Sequence, residues 1–175
     1  GYRYAVGGDV AEGRLSDQQD TDSERDFSAA AVFCRDTREY VASLHCRCDP
    51  HTFALWLALI GQWYNNAWLC PELNHNGVAV LGVLRGTVIL PAAPGLPIYN
   101  NIYARETHFD QYAGDISEDL LGWKTTQITR PKMVSDFYTL FVDGPCTIYD
   151  ALMVEEAKSF QRNKQGKAEH TTGYH

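Results

Sequence analysis

Tyr4-Ala5-Val6-Gly7-Gly8-Asp9 and Ala67-Trp68-Leu69-Cys70-Pro71-Glu72 share one pattern, a short apolar run closed by a carboxylate. Each run is brief and bounded by polar residues, so each reads as a buried strand. A carboxylate at the mouth of a core strand is costly to leave without a partner. If both strands lie in one sheet, Asp9 and Glu72 converge at its edge. Paired carboxylates on rigid strands are one way to hold divalent metal for phosphodiester chemistry.

Working outward, residues 2–9 form the first predicted strand. Residues 27–35 and 39–48 predict two more, joined by the turn Asp36-Thr37-Arg38. Together they predict an antiparallel meander. Asp49 is a natural N-cap, with Pro50 at the first helical position. That helix runs to about residue 64, with Phe53, Trp56, Leu57, Ile60, Trp63 and Tyr64 on one face. After Glu72 a second helix starts near Asn74 and carries Val78, Leu81, Val83 and Leu84 as far as Gly86. Residues 102–105 predict a further strand. Thr129-Arg130-Pro131 opens a helix with Val134, Phe137, Tyr138 and Phe141 on its apolar side, and Gly144-Pro145 breaks it. Asp150 caps a last helix to about residue 160, and residues 161–175 read as a polar tail. This order predicts an α/β fold, a mixed central sheet with helices packed on both faces.

At 175 residues the chain is expected to be one domain, residues 1–175. Its strand-like start and polar end suggest a piece of a longer chain. The formal charge of -7 argues against a generic DNA-coating domain. It does not argue against a nuclease, because a carboxylate cluster adds negative charge that bound cations invert. The longest apolar run, residues 53–60, is far too short to span a bilayer. Five cysteines, an odd number mostly inside apolar runs, fit buried thiols in a reduced intracellular protein. Cys46 and Cys48 have one residue between them, against the two to four that structural zinc sites prefer. The loop 10–26 contains an acidic stretch that departs from a calcium loop, with Arg25 in place of glycine and Ala31 in place of glutamate. There is no Gly-x-x-x-x-Gly-Lys phosphate loop and no Gly-x-Ser-x-Gly elbow.

The strand order, with acids on the first and fourth strands, is similar to the ribonuclease H-like nuclease fold. Six local stretches narrow the likeness. Gly7-Gly8-Asp9-Val10-Ala11-Glu12-Gly13 is followed by Asp26-Phe27-Ser28-Ala29-Ala30 and Pro71-Glu72-Leu73-Asn74-His75-Asn76-Gly77. Gly122-Trp123-Lys124-Thr125-Thr126 and Lys132-Met133 come later, and the chain closes on Gly173-Tyr174-His175. Together they resemble the C-terminal nuclease domain of the large terminase subunit of tailed bacteriophages, over essentially the whole chain.

That resemblance implies an endonuclease that cuts concatemeric double-stranded viral DNA during genome packaging. It implies two magnesium or manganese ions, with Asp9 and Glu72 as acidic ligands. Asp26 matches an acid that opens the second strand and is expected to ligate metal or to support a ligand. In the family the stretch matching residues 173–175 continues into one or two aspartates that supply a third ligand. That ligand is therefore expected beyond His175, and Glu169, Asp150 and Asp143 do not match its position. The implied partners are an upstream packaging ATPase of the same protein, the portal and the small terminase subunit. The implied location is the host cytoplasm, with no membrane and no place in the mature virion.

Around the two acids, His75 is suited to contact phosphate or to shuttle a proton. Lys124 and Thr125 offer a cation and a hydroxyl suited to phosphate, and Arg130 and Lys132 repeat the theme. Glu12 lies close to Asp9 in sequence, and Asn74 is expected to cap the helix or to position Glu72. Two other readings stand beside the first. One is a Holliday-junction-resolvase-like nuclease of the same fold. The other is a non-catalytic docking module of the packaging motor that uses its acidic surface for protein contacts.

Overall fold

A computed structural model describes residues 1–11, 27–88, 98–105, 120–142, 144–162 and 168–170. The elements in chain order are β1 (Tyr4–Asp9), β2 (Ser28–Cys34), β3 (Glu39–Cys46), α1 (Pro50–Trp63), β4 (Trp68–Pro71) and α2 (Gly77–Leu84). Then follow α3 (Thr129–Val142), β5 (Thr147–Ile148), α4 (Ala151–Ser159), β6 (Phe160–Arg162) and β7 (Ala168–His170). Five strands form one sheet in the order β4-β1-β2-β3-β5, and β6 pairs with β7 apart from it. β1, β2 and β3 make the expected antiparallel meander, whereas β4 runs parallel to β1 and β5 parallel to β3. α1 is the crossover that carries the chain from β3 past β2 and β1 to the far side of the sheet.

The registers assign side chains to faces. Val6 stands opposite Val32, Gly8 opposite Ala30, and Ala30 opposite Leu44. α1 and α2 cover this face. Phe53, Ala54, Leu57 and Ala58 of α1 are buried with Val80 and Leu84 of α2 against Val6, Ala30, Val32 and Leu69. Burying an aliphatic or aromatic side chain of this size stabilises by about 1.5–3 kcal/mol, so this layer is the main source of stability. Asp49 caps α1 as expected, its carboxylate accepting the N–H groups of His51 at 3.0 Å and Thr52 at 3.1 Å.

The inward side of α1 is narrower than its hydrophobic pattern predicts. Trp56 and Trp63 are exposed, Trp63 at 86%, and Ala54, Ala58 and Gly61 turn inward instead. The reason is a close approach. The buried Tyr99 ring lies against Gly61, and its hydroxyl donates to the Ala67 carbonyl at 2.6 Å. In α2 the same shift exposes Val78 and buries Val80. Residues 102–105 form bridges rather than the strand expected. Ile102 pairs with Leu69 and Ala104 with Leu121, so the segment divides its hydrogen bonds between two neighbours. β5 and the β6–β7 hairpin were not foreseen, and the hairpin lies within what reads as a polar tail.

The opposite face carries Gly7 and Asp9 of β1 and Ser43 and His45 of β3, all exposed. Asp150 caps α4 through the N–H groups of Leu152 at 2.9 Å and Met153 at 3.3 Å, and its other oxygen accepts the Ser43 hydroxyl at 2.6 Å. α4 therefore reaches this face at its first turn. The apolar side of α3 turns to α4 across a cleft of about 660 Å³ lined by Met133, Phe137, Phe141, Met153 and Val154. The cysteines are free thiols, with the Cys46 and Cys48 sulfurs 3.1 Å apart. Among the described residues no helix is long and apolar enough to cross a membrane.

Candidate active site

β1 and β4 end side by side. Gly8 pairs with Pro71 in the parallel ladder, and the Glu72 N–H donates to the Gly8 carbonyl at 2.7 Å. The next position of each strand is an acid. Asp9 and Glu72 therefore leave the sheet together, on the face away from α1. Their carboxyl groups interact directly. The surrounding protein desolvates the Asp9 carboxyl, and the Glu72 carboxylate repels its charge and accepts its proton, so its pKa is pushed up to about 6. The positive potential of His75 opposes the rise. Asp9 as a residue stays exposed, so its carboxyl is desolvated from one side and open to a ligand on the other.

Local structure explains why the pair is rigid. Val10 is buried, and the Ala11 N–H donates to the buried Ser28 hydroxyl at 3.1 Å. The Asn76 amide donates to the Ala11 carbonyl at 3.0 Å. These bonds fix the chain as it leaves Asp9. A Cβ at Gly77 would collide with the Glu72 carbonyl oxygen, so α2 can start this close to Glu72 only with glycine there. On its other side Glu72 bridges Trp123, with the Leu73 N–H donating to the Trp123 carbonyl at 2.7 Å and the Trp123 N–H donating to the Pro71 carbonyl at 2.8 Å. Gly122 precedes this bridge at φ +76°, a left-handed conformation that L side chains rarely adopt. The Trp123 indole Nε1 is buried with no hydrogen-bond partner among the described residues.

The other expected residues divide into three groups. Lys124 and Thr125 follow Trp123 directly, and the Asn74 amide holds the Thr125 carbonyl at 2.9 Å, so both stand beside Glu72. Asn74 thus braces the Lys124–Thr125 strip and makes no side-chain helix cap. His75 is exposed, at φ +52°, close enough to act on the Asp9 charge. Arg130 and Lys132 lie further off on exposed α3, and Lys132 pairs with Asp136 at 3.2 Å. Asp26, Glu12, Asp143 and residues 171–175 lie outside the described residues. Sequence reasoning missed Ser28, Asn76 and Trp123 as supports. The signal for the first two was a polar residue at the start of an apolar strand or helix.

Two adjoining carboxyl groups at an exposed strand end suit a hard cation that keeps part of its water shell. Burial and the Glu72 charge push the nearby Cys70 thiol up to about 11, so it offers no competing thiolate. Among the described residues no group of three or more His, Cys, Asp or Glu converges as a metal cage, so the pair is the whole donor set there.

No family model matches the chain, and no curated protein matches it. Solved structures do. The large terminase nuclease from thermophilic phage G20c with bound magnesium superposes with a TM-score of 0.63 at 13% identity, covering 99% of this chain and 75% of that one. The same nuclease with bound cobalt gives 0.60 at 11% identity, covering 99% and 74%. The Thermus phage P74-26 large terminase nuclease domain gives 0.53 at 14% identity, covering 95% and 68%. Identities this low speak for architecture alone, and the chain has the α/β, ribonuclease H-like fold of the large terminase nuclease domains.

Proposed function

We propose that this chain is a metal-dependent endonuclease domain that cuts double-stranded viral DNA during genome packaging. The observation that carries the reading is the convergence of Asp9 and Glu72 at the ends of two parallel strands, on an exposed sheet face. The nuclease fold of the similar structures supports it, as do the magnesium and cobalt bound in two of them. Asp9 and Glu72 are the metal ligands in this reading, with Asp26 as a further one. Divalent cations held there, magnesium or manganese and two in number, would polarise the scissile phosphate and activate a water.

The chain's own residues do the rest. Asp9 and Glu72 present only oxygen, and their mutual repulsion favours a cation between them. Gly7 leaves room for a DNA backbone to approach. Lys124 and Thr125, braced beside Glu72 by Asn74, hold a neighbouring phosphate. His75 donates to phosphate or relays a proton. Arg130 and Lys132 add outlying charge. Contacts of this kind grip backbone rather than base edges, which suits cleavage at many sequences. Upstream ATPase, portal and small terminase subunit complete the motor in the host cytoplasm.

Supercoiled plasmid with manganese, and with EDTA, tests the reading. The expected result is nicking and linearisation with manganese only, with a loss of at least ~100-fold in Asp9→Asn and in Glu72→Gln. Removing a group that merely supports a metal ligand already costs 10–100-fold. Cutting in EDTA, or variants as active as the parent, would overturn it.

A further inference from the structure

The row of side chains that contains the carboxylate pair does not stop at Asp9. Asp9 stands opposite Ala29, and Ala29 opposite His45, so all three share one face at one level of the sheet. On the other side Glu72 bridges Trp123, and Lys124 follows. Adjacent strands lie about 4.8 Å apart, so the row from Trp123 to His45 spans roughly 19 Å. That length matches five to six nucleotides of a B-form strand, at about 3.4 Å each.

At the His45 end the sheet carries a cluster that nothing in the carboxylate chemistry uses. The Arg47 guanidinium lies 4.2 Å over the Phe27 ring, and the Phe27 and His45 rings are 6.5 Å apart. Phe27, His45 and Arg47 are all exposed. Stacking on Phe27 fixes the guanidinium plane but leaves its edge N–H donors free for an anion, the geometry that makes arginine a phosphate ligand. Among the described residues Arg47 makes no ion pair. Asp150, the carboxylate on which His45 acts, already accepts the Ser43 hydroxyl and the α4 N–H groups. Among the described residues only the small, half-buried Ala29 lies between the cluster and Asp9, which suits a strand crossing the floor between them.

We propose that Phe27, His45 and Arg47 form a second phosphate-binding site. It grips the DNA strand about 10 Å from Asp9, on the side opposite Lys124. This rests on the nuclease reading and extends it. The substrate would be held at both ends of the row, with the carboxylate pair between. The arrangement also explains how a chain of net charge -7 can bind DNA, because the cations are placed where the backbone lies.

Fluorescence anisotropy of a labelled 20-bp duplex, read in EDTA so that no cleavage occurs, tests the site in the whole chain. Arg47→Ala is expected to weaken binding about 5–10-fold and to lower the salt slope by about one. Arg47→Lys, which keeps the charge and loses the fork, should fall between. Arg38→Ala removes the same charge from the far end of β3 and should stay within about twofold. A scan with single neutral methylphosphonates should find one position that weakens the parent and leaves Arg47→Ala indifferent. Parent-like binding by Arg47→Ala overturns the site, as does an equal loss in Arg38→Ala. If the parent cuts plasmid with manganese and Arg47→Ala binds as it does, this inference fails and the nuclease reading stands. If the parent neither binds nor cuts, both fall.

Discussion

Gly7 and Gly8 are neighbours in β1 and opposites in surroundings. A Cβ at Gly8 would lie 3.0 Å from both Leu57 methyls and 3.5 Å from Phe53, so this position is the floor on which α1 rests. A Cβ at Gly7 would meet none of the described residues within 4 Å. Strand alternation forces the two onto opposite faces. Each face uses a missing side chain differently. The inner face needs it so that a helix can come close, and on the outer face it leaves the room that the proposed function gives to a substrate. One residue type serves packing and access a single step apart, and only the register of the sheet tells them apart.

Valine at each position turns this contrast into opposite results. Gly8→Val drives an isopropyl group into Leu57, and overpacking of this kind costs about 1–3 kcal/mol. In a domain of this size each kcal/mol moves Tm by about 2–4 °C, so a fall of about 2–12 °C is expected in thermal melting. Gly7→Val adds a good strand former to an exposed site, and its Tm should hold or rise slightly. Under the proposed function its DNA cleavage should fall at least tenfold, because the isopropyl group would fill the space left for the backbone. Equal melting of the two variants would break the assignment of faces.

Asp9 gives a smaller effect with a definite sign. Its folded pKa is raised from 3.8 to about 6, by desolvation first and by Glu72 second. Between those values the folded state holds more protons than the unfolded, so stability falls as pH rises through the window. The favourable contribution is complete below pH 3.8 and lost above pH 6. Asp9→Asn should therefore melt above the parent at pH 7.5, by about 2 °C once solvent screening is allowed for, and match it near pH 4. Manganese should raise the parent's Tm at pH 7.5 and do little at pH 5, where the proton competes. An Asn variant that melts below the parent at pH 7.5 sinks this account of the pair.

Much of this was legible in sequence, and the parts that were not have physical reasons. The meander, the Asp49 and Asp150 caps and the meeting of Asp9 with Glu72 follow from local signals: apolar runs, turn residues and N-cap carboxylates. The inward side of α1 did not. Trp56 and Trp63 dominate any hydrophobic count, yet Ala54, Ala58 and Gly61 face the core because Tyr99 needs the space, and Tyr99 comes from a distant segment. The split pairing of residues 102–105 was hidden for the same reason, since it depends on Leu69 and Leu121 rather than on the segment itself. Lys124 and Thr125 were picked for their chemistry, but their place beside Glu72 comes from the Trp123 bridge and the Asn74 amide, contacts across about fifty residues. The Phe27–His45–Arg47 cluster lies across a hairpin in non-adjacent positions and becomes visible only when β2 and β3 are placed in register.

The two caps give the smallest and most selective comparison. Asp49 starts α1, which belongs to the core, and Asp150 starts α4, which meets the exposed face through Ser43. Hydrogen bonds hold both carboxyls below the ordinary aspartate range: chiefly from Thr52 for Asp49 and from Ser43 for Asp150. Each therefore contributes stability that is present above pH 3.8 and lost as pH falls through the lowered folded value. Replacing either by alanine removes a cap worth about 1 kcal/mol. The cost should be read in different places. α1 is buried along Phe53, Ala54, Leu57 and Ala58, so it cannot fray without opening the core, and Asp49→Ala should lower global Tm by about 2–4 °C. Among the described residues α4 shares a cleft with α3 and short edges with β5 and β6, away from the core under α1, so it can open alone. Asp150→Ala should leave global Tm nearly unchanged and speed amide exchange at Leu152 and Met153 about fivefold, the equivalent of about 1 kcal/mol of local opening. If Asp150→Ala instead lowers Tm as much as Asp49→Ala, α4 is part of the cooperative core, and the exposed face is as firmly built as the one beneath α1.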